Sequence, residues 1–360
     1  MDKKEKVAIA IIKKWFRKGN ITRCMRDILP NSNLNLIDRE EVAKIIHDIV
    51  RWKRWYDFLI EFYDMERNAE TYLKIAINEY DLDYEKAEKE IPKEKYVAIR
   101  YSFSDFLANY LKNKPEFINH LNKEAKTTLC INFNKGNKEK IIEMLRNEKI
   151  NVHESELETA ILTESRARYS KVVKEGYAHI QDESSQLISK ITANYGKKIL
   201  DYCAGNGGKT LAIASITRNE ADIYVNDVNE RKLDILKKRA MLFNANVKMM
   251  EKGKYDVVLV DAPCAGVGAA RRNPEAKYID SLDNFPKKQY SILKNAWKYV
   301  KKNGFLIYSI CSFLPEEINV IKKIDGEHIE LNIKGLKKVE NGYYIWLPEG
   351  DIFFISILKK

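Results

Sequence analysis

Two patterns of apolar residues divide the chain. In about the first 120 residues, apolar side chains recur every three or four positions, as in Val42–Val50, and this spacing predicts amphipathic helices. From about residue 176, short apolar runs alternate with longer amphipathic segments, which is typical of parallel strands joined by helices. The pattern therefore predicts an all-α N-terminal domain followed by an α/β domain with a doubly wound parallel sheet.

The apolar pattern from about residue 176 predicts the individual strands of that sheet and the helices that join them. The predicted strands are Lys198–Tyr202, Asp222–Val225, Val247–Met250, Asp256–Val260 and Phe305–Ser309. The predicted helices are Lys209–Ile216, Asn229–Asn244 and Phe285–Lys301. The chain then ends with a predicted β-hairpin, Tyr343–Leu347 and Asp351–Leu358. A parallel sheet closed by a hairpin is a common form of class I methyltransferases, although a fold alone does not establish chemistry.

The segment between the two halves has mixed character. Thr127–Phe133 and Ala160–Thr163 resemble strands, whereas Lys138–Asn147 resembles a helix. We therefore predict a small α+β subdomain at residues 121–175. The predicted domains are residues 1–120, 121–175 and 176–360.

Composition narrows the class of protein. With 45% hydrophobic residues, the chain is not globally disordered, and its net charge of +11 favours a polyanionic partner, either RNA or an anionic membrane surface. No run approaches the roughly 20 apolar residues of a membrane span, and no cleavage site for a signal peptide follows Val7–Ile12. The five cysteines are scattered and lack a CxxC pair. This arrangement predicts a cytoplasmic protein without disulfides or a metal site.

A glycine-rich loop between the first predicted strand and helix is the candidate cofactor site. Its residues are Cys203, Ala204, Gly205, Asn206, Gly207, Gly208 and Lys209. The P-loop pattern fails because Cys203 stands where its first glycine belongs, and the dinucleotide pattern fails because Thr210 replaces its third. S-adenosylmethionine is the third candidate, and Asp227 at the end of strand two is placed to bind its ribose hydroxyls. A dinucleotide stays open, and Asp227 as a mere helix cap is the alternative interpretation.

Two cysteines follow strands at the same edge of the sheet as this loop. Asp261 and Cys264 follow one strand, and Cys311 follows the next. Carbon 5 of a pyrimidine is a poor nucleophile, and a thiolate that adds to carbon 6 activates it toward an electrophilic methyl group. A second acid–base group assists release, and a carboxylate such as Asp261 stabilises the protonated adduct. By this reasoning either cysteine can be the nucleophile. Cys24 and Cys130 are interpreted as small buried hydrophobic residues.

At these residues the sequence resembles the RNA cytosine-5 methyltransferases of the NOL1/NOP2/Sun family, most closely the ribosomal RNA methyltransferase B branch. The similarity runs from Gly176 to the C-terminus and is carried by Gln181–Ser185, Cys203–Lys209, Asp227, Asp261–Gly266, Arg272–Pro274, Ser309–Ser312 and Leu347–Ile355. The resemblance implies Cys311 as the nucleophile and Cys264 as the cysteine that assists product release. It also implies S-adenosylmethionine as cofactor, with Asp261 in both the catalytic and the cofactor-binding set.

The resemblance leaves some segments open. Asp48–Trp52 looks like part of the NusB-like helical domain of the same branch, which implies RNA binding by residues 1–120. The family's acidic residue on the adenine side is absent, and Glu251 is the candidate substitute. Arg271 and Arg272 are candidates for contact with RNA phosphates or with the flipped base.

The resulting prediction is a cytoplasmic, monomeric methyltransferase that acts on ribosomal RNA, with tRNA as the second choice of substrate. Two competing functions are a non-catalytic RNA-binding assembly factor and a nicotinamide-dependent oxidoreductase. The oxidoreductase hypothesis is weakened because the sequence shows no catalytic histidine near the site. His179 is the only histidine close in sequence to the loop.

Overall fold

The computed structural model describes residues 2–360, which form two compact units. The first unit contains the chain up to Glu124 together with Ala270–Ser281, and the second contains Ala125–Ala269 and Leu282–Lys360. These limits differ from the three predicted domains because the chain returns to the first unit at Ala270. No local hydrophobic pattern indicates that return, since it depends on contacts between residues distant in sequence.

The first unit is helical, as its three-to-four residue periodicity predicts. The helices are α1 (Lys3–Lys18), α2 (Ile21–Ile28), α3 (Leu36–Arg51), α4 (Lys53–Phe62), α5 (Ala69–Ala76), α6 (Tyr84–Lys89), α7 (Tyr96–Arg100), α8 (Asp105–Leu111) and α9 (Pro115–Asn122). Polar side chains cap several of these N-termini, and at the start of α3 the Asn35 side chain accepts from the Asp38 N–H at 2.9 Å. The apolar stripe of α3 is buried, with Val42, Ile46 and Ile49 in the core.

The segment Ala270–Ser281 is anchored in this unit by polar contacts. The Lys277 side chain is fully buried, and its Nζ donates to the Arg51 carbonyl at 2.6 Å and to Asn122 Oδ1 at 2.5 Å. It also lies 4.6 Å from the centroid of the Phe103 ring. Burial lowers the pKa of Lys277 well below its usual value. Carbonyl and aromatic partners thus replace the water that an exposed lysine would have.

The second unit contains two sheets, and the smaller one is antiparallel. Its strands are β1 (Thr127–Ile131), β2 (Val152–Glu154), β3 (Ala160–Thr163) and β4 (Ala178–Ile180), in the order β2-β3-β1-β4. Helices α10 (Lys138–Asn147) and α11 (Lys171–Lys174) lie between its strands in the chain, and their apolar residues share one core with the sheet. The strands Thr127–Phe133 and Ala160–Thr163 and the helix Lys138–Asn147 were therefore correctly predicted, although β4 extends the sheet beyond residue 175.

The larger sheet is mostly parallel. Its strands are β5 (Lys198–Asp201), β6 (Asp222–Val225), β7 (Val247–Met249), β8 (Tyr255–Asp261), β9 (Val300–Ile310), β10 (Glu327–His328), β11 (Leu336–Val339), β12 (Gly342–Ile345) and β13 (Phe353–Lys359). The strand order is β11-β12-β13-β9-β8-β5-β6-β7. The neighbouring strands from β7 to β9 in this order are all paired in parallel. The remaining helices are α12 (Glu183–Ala193), α13 (Gly208–Ile216), α14 (Glu230–Phe243), α15 (Phe285–Trp297) and α16 (Pro315–Ile318).

Both faces of this sheet are covered, which confirms the predicted α/β class. Neighbouring residues of one strand belong to different cores: Val257 packs in one apolar cluster and Val258 in another. The predicted terminal hairpin is also present, because β12 pairs antiparallel with β13, with Tyr343 opposite Ile355. Within residues 2–360, no helix is long and apolar enough to cross a membrane.

Candidate active site

The glycine-rich loop joins β5 to α13, and two side chains donate hydrogen bonds to its backbone carbonyls. Asn226 donates to the Tyr202 carbonyl at 3.0 Å, and Arg239 donates to the Asn206 carbonyl at 2.7 Å. The loop needs glycine at Gly207, where φ is +84° and a Cβ would lie 2.7 Å from the Leu236 side chain. The space beside Gly205 is open, because a Cβ at this position would have no neighbouring atom within 4 Å. The loop therefore has a fixed base and an open face.

Asp227 connects this loop to the end of β6. Its Oδ2 accepts from the Gly205 N–H at 2.9 Å, and its Oδ1 accepts from the Asn229 N–H at 2.8 Å. Asp227 is thus both a local turn cap and a support of the glycine loop. Each carboxylate oxygen keeps a second lone pair, so the carboxylate retains acceptor capacity for ligand hydroxyls.

Val228 is a candidate cofactor residue that sequence reasoning missed. Its side chain follows Asp227 directly and is 97% exposed. Single exposed apolar side chains are common on protein surfaces, so it is the position of Val228 beside Asp227 and the open loop that makes it a candidate. An apolar residue immediately after the acidic end of strand two is the sequence signal that marks it. The open glycine loop, the Asp227 carboxylate and the exposed Val228 side chain together suit the binding of an adenosine group.

Lys209, Asp261 and Ser309 form a connected polar group at the carboxyl edge of the sheet. Lys209 Nζ lies 2.7 Å from Asp261 Oδ2, and Ser309 Oγ donates to Asp261 Oδ1 at 2.8 Å. Ser309 reaches Asp261 because the two residues are paired in the parallel register of β8 and β9. Lys209 is only 8% exposed and also lies 5.0 Å from the Phe353 ring centroid. Its ammonium is thus engaged by Asp261, and direct contact of Lys209 with a cofactor stays a prediction.

The two cysteines that follow β8 and β9 meet at this edge. Cys264 Sγ lies 3.3 Å from Cys311 Sγ, and both residues are half-buried. Backbone contacts bring their loops together: Gly268 donates to the Cys311 carbonyl at 3.0 Å and accepts from the Ile352 N–H at 3.0 Å. A Cβ on Gly268 would lie 1.9 Å from the Ile352 oxygen, so this close approach requires glycine.

The two thiols are not electrostatically equivalent. The hydrogen bond with Cys311, burial and the nearby Glu317 carboxylate raise the pKa of Cys264 well above its ordinary value. Cys264 is therefore held in its thiol form, 3.3 Å from Cys311 Sγ. Burial also raises the pKa of Cys203 in the glycine loop, which makes a reactive thiolate there unfavourable.

Asp201 lies at the end of β5 beneath the glycine loop and is a second residue that sequence reasoning did not single out. Thr210 Oγ1 donates to its Oδ2 at 2.7 Å, and its Oδ1 is buried without a hydrogen-bond partner. Burial is the main cause that raises the pKa of Asp201 to about 7, and the neighbouring Asp261 charge adds to it. A free aspartate ionises near pH 3.9.

We expect Asp201→Asn to stabilise the protein more at pH 8 than at pH 4. Between about pH 4 and pH 7 the folded state binds one proton more than the unfolded state, so the stability that protonated Asp201 contributes is lost as the pH rises. The difference in unfolding free energy between variant and wild type should therefore increase by about 1–4 kcal/mol over that range. Urea denaturation at both pH values measures it, and an unchanged difference would contradict the burial argument.

The structure bears on three side chains that the sequence singled out, and it contradicts one of those interpretations. Arg271 is 1% exposed inside the first unit, against His120 Nε2 at 3.4 Å and the Glu124 carbonyl at 3.4 Å. The prediction that it contacts RNA is therefore wrong, because a buried guanidinium cannot reach phosphate. Glu251 follows β7 with an exposed side chain, so its contact with adenine stays a prediction. His179 is buried, which lowers its pKa to about 3 and keeps it neutral.

The other two cysteines are buried, as predicted. Cys24 is 1% exposed in the first unit and Cys130 is fully buried in β1. Within the part of the chain that the structure describes, residues 2–360, no group of three or more acidic, cysteine or histidine side chains could hold a metal ion.

Comparison with known proteins agrees with this geometry. Residues 190–359 match the family model described as 16S rRNA methyltransferase RsmB/F. The probable ribosomal RNA small subunit methyltransferase B of Bacillus subtilis (strain 168) is 30% identical over 222 residues, which are 56% of this chain and 50% of that protein. The chain spans about half the length of the curated relatives it matches.

Two solved structures share the fold. The crystal structure of PH0851 has a TM-score of 0.80 and 20% identity, and the match covers 100% of this chain and 99% of that one. A methyltransferase homolog protein from Pyrococcus horikoshii has a TM-score of 0.63 and 22% identity, with 75% of this chain and 99% of that one covered. At these identities the likeness concerns the fold alone.

The parallel sheet with its antiparallel terminal strands, the glycine loop and the acidic end of β6 define a class I methyltransferase domain. Such domains take S-adenosylmethionine as cofactor, and the open loop with Asp227 and Val228 fits it. The match of residues 190–359 to the RsmB/F methyltransferase family model confirms the family resemblance seen in the sequence.

Proposed function

We propose that this chain is an S-adenosylmethionine-dependent RNA cytosine-5 methyltransferase that acts on ribosomal RNA. The observation that carries the proposal is the pair of thiols 3.3 Å apart, beside Asp261 and at the sheet edge that holds the glycine loop. The ribosomal RNA assignment is supported by the family match of residues 190–359 and by the names of the relatives. A cytosine within an A-form helix is inaccessible, so the target is expected in a loop or an unfolded segment.

Cys311 is the proposed nucleophile. Its thiolate adds to carbon 6 of cytosine, and the electron pair of the carbon 5–carbon 6 double bond then makes carbon 5 nucleophilic. The raised pKa of Cys264 supports this assignment, because it keeps Cys264 protonated and leaves Cys311 as the thiol available for nucleophilic attack. Bound S-adenosylmethionine would supply the electrophilic methyl group.

Asp261 is proposed to stabilise the cytosine adduct. Its two oxygens are oriented by Lys209 and Ser309, so the carboxylate does not have to reorganise during the reaction. It can accept from the exocyclic amino group of cytosine and stabilise positive charge at N3. Asp227, Val228 and the residues from Cys203 to Gly208 are proposed to hold the adenosine group and the methionine portion.

Cys264 is proposed to complete product release as a proton relay. It gives its proton to the departing Cys311 Sγ and takes the proton of carbon 5 in exchange. The electron pair of the carbon 5–hydrogen bond restores the double bond, and the carbon 6–Sγ bond breaks. Both thiols end protonated, so no external base is consumed, and the 3.3 Å separation is short enough for direct transfer.

The function is tested by methyl transfer from tritium-labelled S-adenosylmethionine to protein-free ribosomal RNA and to tRNA. Digestion to nucleosides then identifies the labelled product. Label in small-subunit RNA as 5-methylcytidine is the expected result. Label confined to tRNA would mean that tRNA, and not ribosomal RNA, is the substrate. A different labelled nucleoside would overturn the cytosine-5 chemistry, and no label would favour a non-catalytic RNA-binding factor.

We expect Asp227→Ala to weaken S-adenosylmethionine binding by about tenfold to a hundredfold, the effect of losing charge-assisted hydrogen bonds worth roughly 1.5–3 kcal/mol. Titration calorimetry with S-adenosylmethionine measures the loss. Asp234→Ala is the matched control, because Asp234 is exposed on α14, where its carboxylate pairs with Lys237 at 3.4 Å. Equal affinity in both variants would exclude Asp227 from the cofactor site.

A further inference from the structure

A polar clamp lies beneath the loop that carries Cys264. Gln289 on α15 donates from Nε2 to the Pro263 carbonyl at 3.0 Å and to Glu317 Oε1 at 2.8 Å. The same Glu317 oxygen accepts from the Ala265 N–H at 2.9 Å. The two side chains therefore hold the backbone on both sides of Cys264. Sequence reasoning did not single out either residue, since a lone Gln or Glu on an amphipathic helix is usually exposed.

Both side chains of the clamp are completely buried. Glu317 and Gln289 have no exposed surface, and Glu317 Oε2 and Gln289 Oε1 are buried without a hydrogen-bond partner. Burying a carboxylate and an amide with unsatisfied oxygens is unfavourable, and apolar side chains of similar volume would avoid that cost. Stability alone therefore does not account for this pair.

The clamp also connects the two cysteine loops to each other. Glu317 follows Cys311 by six residues, on the short helix α16 directly after β9. The Tyr308 hydroxyl, inside β9, donates to the Glu317 carbonyl at 3.0 Å and ties that helix to the strand. One side chain thus links the segment after Cys311 to the residue after Cys264.

We propose that Glu317, with Gln289, is a positioning residue that holds Cys264 Sγ within proton-transfer distance of Cys311 Sγ during product release. The proposal rests on the proposed methyltransferase function for its kinetic consequence, although its geometric part does not. Glu317 touches neither cytosine nor cofactor in this role. It acts through the Ala265 N–H, so the acceptor oxygen is the required feature rather than the charge.

The kinetic test compares Glu317→Ala, Glu317→Gln and Gln289→Ala with wild type. Glu317→Ala should lower kcat by about tenfold to a hundredfold, the range for a catalytic group displaced by about 1 Å, and leave KM for RNA unchanged. It should also accumulate a covalent protein–RNA adduct on denaturing gels, because addition of Cys311 continues while release is slowed. A misfolded enzyme would form less adduct, so this signature separates positioning from loss of structure.

The conservative variant decides between the acceptor and the charge. Glu317→Gln keeps an oxygen for the Ala265 N–H and should recover kcat to within about threefold of wild type. Gln289→Ala removes the contacts with the Pro263 carbonyl and with Glu317 Oε1 but leaves the Ala265 contact, so it should give an intermediate adduct level. If Glu317→Gln behaves like Glu317→Ala, the charge rather than the acceptor matters, and the positioning proposal is wrong. Glu316→Ala is the matched control, since Glu316 is the exposed neighbour on the same helix.

A second measurement keeps the clamp testable even if no RNA is methylated. Diamide oxidises two thiols to a disulfide as it is itself reduced to the hydrazine and takes up the two protons. Peptide mapping then follows the bond between Cys264 and Cys311. In Glu317→Ala, formation of this disulfide should be about tenfold slower, because the effective concentration of one thiol at the other falls when the loop is released. In Glu317→Gln and Glu316→Ala the rate should stay that of wild type. Equal rates in all variants would refute the clamp, whereas slowing without any RNA methylation would refute only the proposed function.

Discussion

Replacing Cys311 with alanine is expected to abolish methyl transfer to RNA, with a loss on the order of 10⁴-fold or more. Without the thiolate no bond to carbon 6 forms, and carbon 5 of cytosine stays a poor nucleophile. The loss should appear in kcat rather than in the affinity for S-adenosylmethionine, because Cys311 follows β9 and not the β5–α13 loop. Tritium transfer and cofactor calorimetry on the same preparation measure the two quantities.

Cys264→Ala is the informative partner of this variant. It leaves the proposed nucleophile in place and removes the proposed proton relay, so turnover should fall while a covalent RNA adduct accumulates. Cys130→Ala, at a buried position in β1, is the control for loss of a thiol as such. If Cys264→Ala abolished adduct formation and Cys311→Ala trapped it, the roles of the two cysteines would be exchanged.

Asp261→Asn is the second variant for which a large effect is expected. Asparagine keeps the shape of the side chain but removes the negative charge that faces the developing cation, so kcat should fall by about 10²- to 10³-fold. The variant also leaves the buried Lys209 ammonium without its carboxylate, which should lower the free energy of unfolding by about 1–3 kcal/mol. Steady-state kinetics and urea denaturation measure the two effects separately.

A double variant separates the two contributions of Asp261. Lys209→Met combined with Asp261→Asn removes both charges, so part of the lost stability should return while methyl transfer stays low. Asp222→Asn is the matched control, since Asp222 pairs with Lys248 at the same 2.7 Å but in an exposed position. There we expect almost no change in stability, with activity unchanged, because solvent screens an exposed pair. Recovery of activity in the double variant would mean that Asp261 serves structure alone.

The local elements of the second unit were largely readable from the sequence, because burial on both faces of a parallel sheet produces short continuous apolar runs. β6 was predicted with its observed limits, Asp222–Val225. β9 was not, since it begins at Val300 rather than at Phe305. Its first residues after Val300 are exposed and polar, and they lie in an irregular stretch between the Val300–Tyr255 and Phe305–Val257 pairs, so hydrophobicity does not mark them as strand.

Arg271 shows where local sequence reasoning fails at the candidate site. Two adjacent arginines after a glycine-containing loop are typical of an exposed, phosphate-binding segment. The structure instead buries Arg271 in the first unit, together with Lys277. The difference arises because backbone carbonyl oxygens of residues more than a hundred positions away, Glu124 and Arg51, accept hydrogen bonds from these side chains. No pattern within the segment can reveal partners at that distance in the chain.

The sequence by itself determined the α/β class of the second unit, the glycine loop, the acidic end of strand two and the two candidate cysteines. Each of these follows from local rules of periodicity, turn chemistry and residue type. Only the tertiary structure decided that the two sulfurs lie 3.3 Å apart, that Lys209 is paired with Asp261, and that Glu317 supports the Cys264 loop. These contacts join residues on different strands and helices, and their distances depend on strand register and close packing, which the linear order of side chains does not specify.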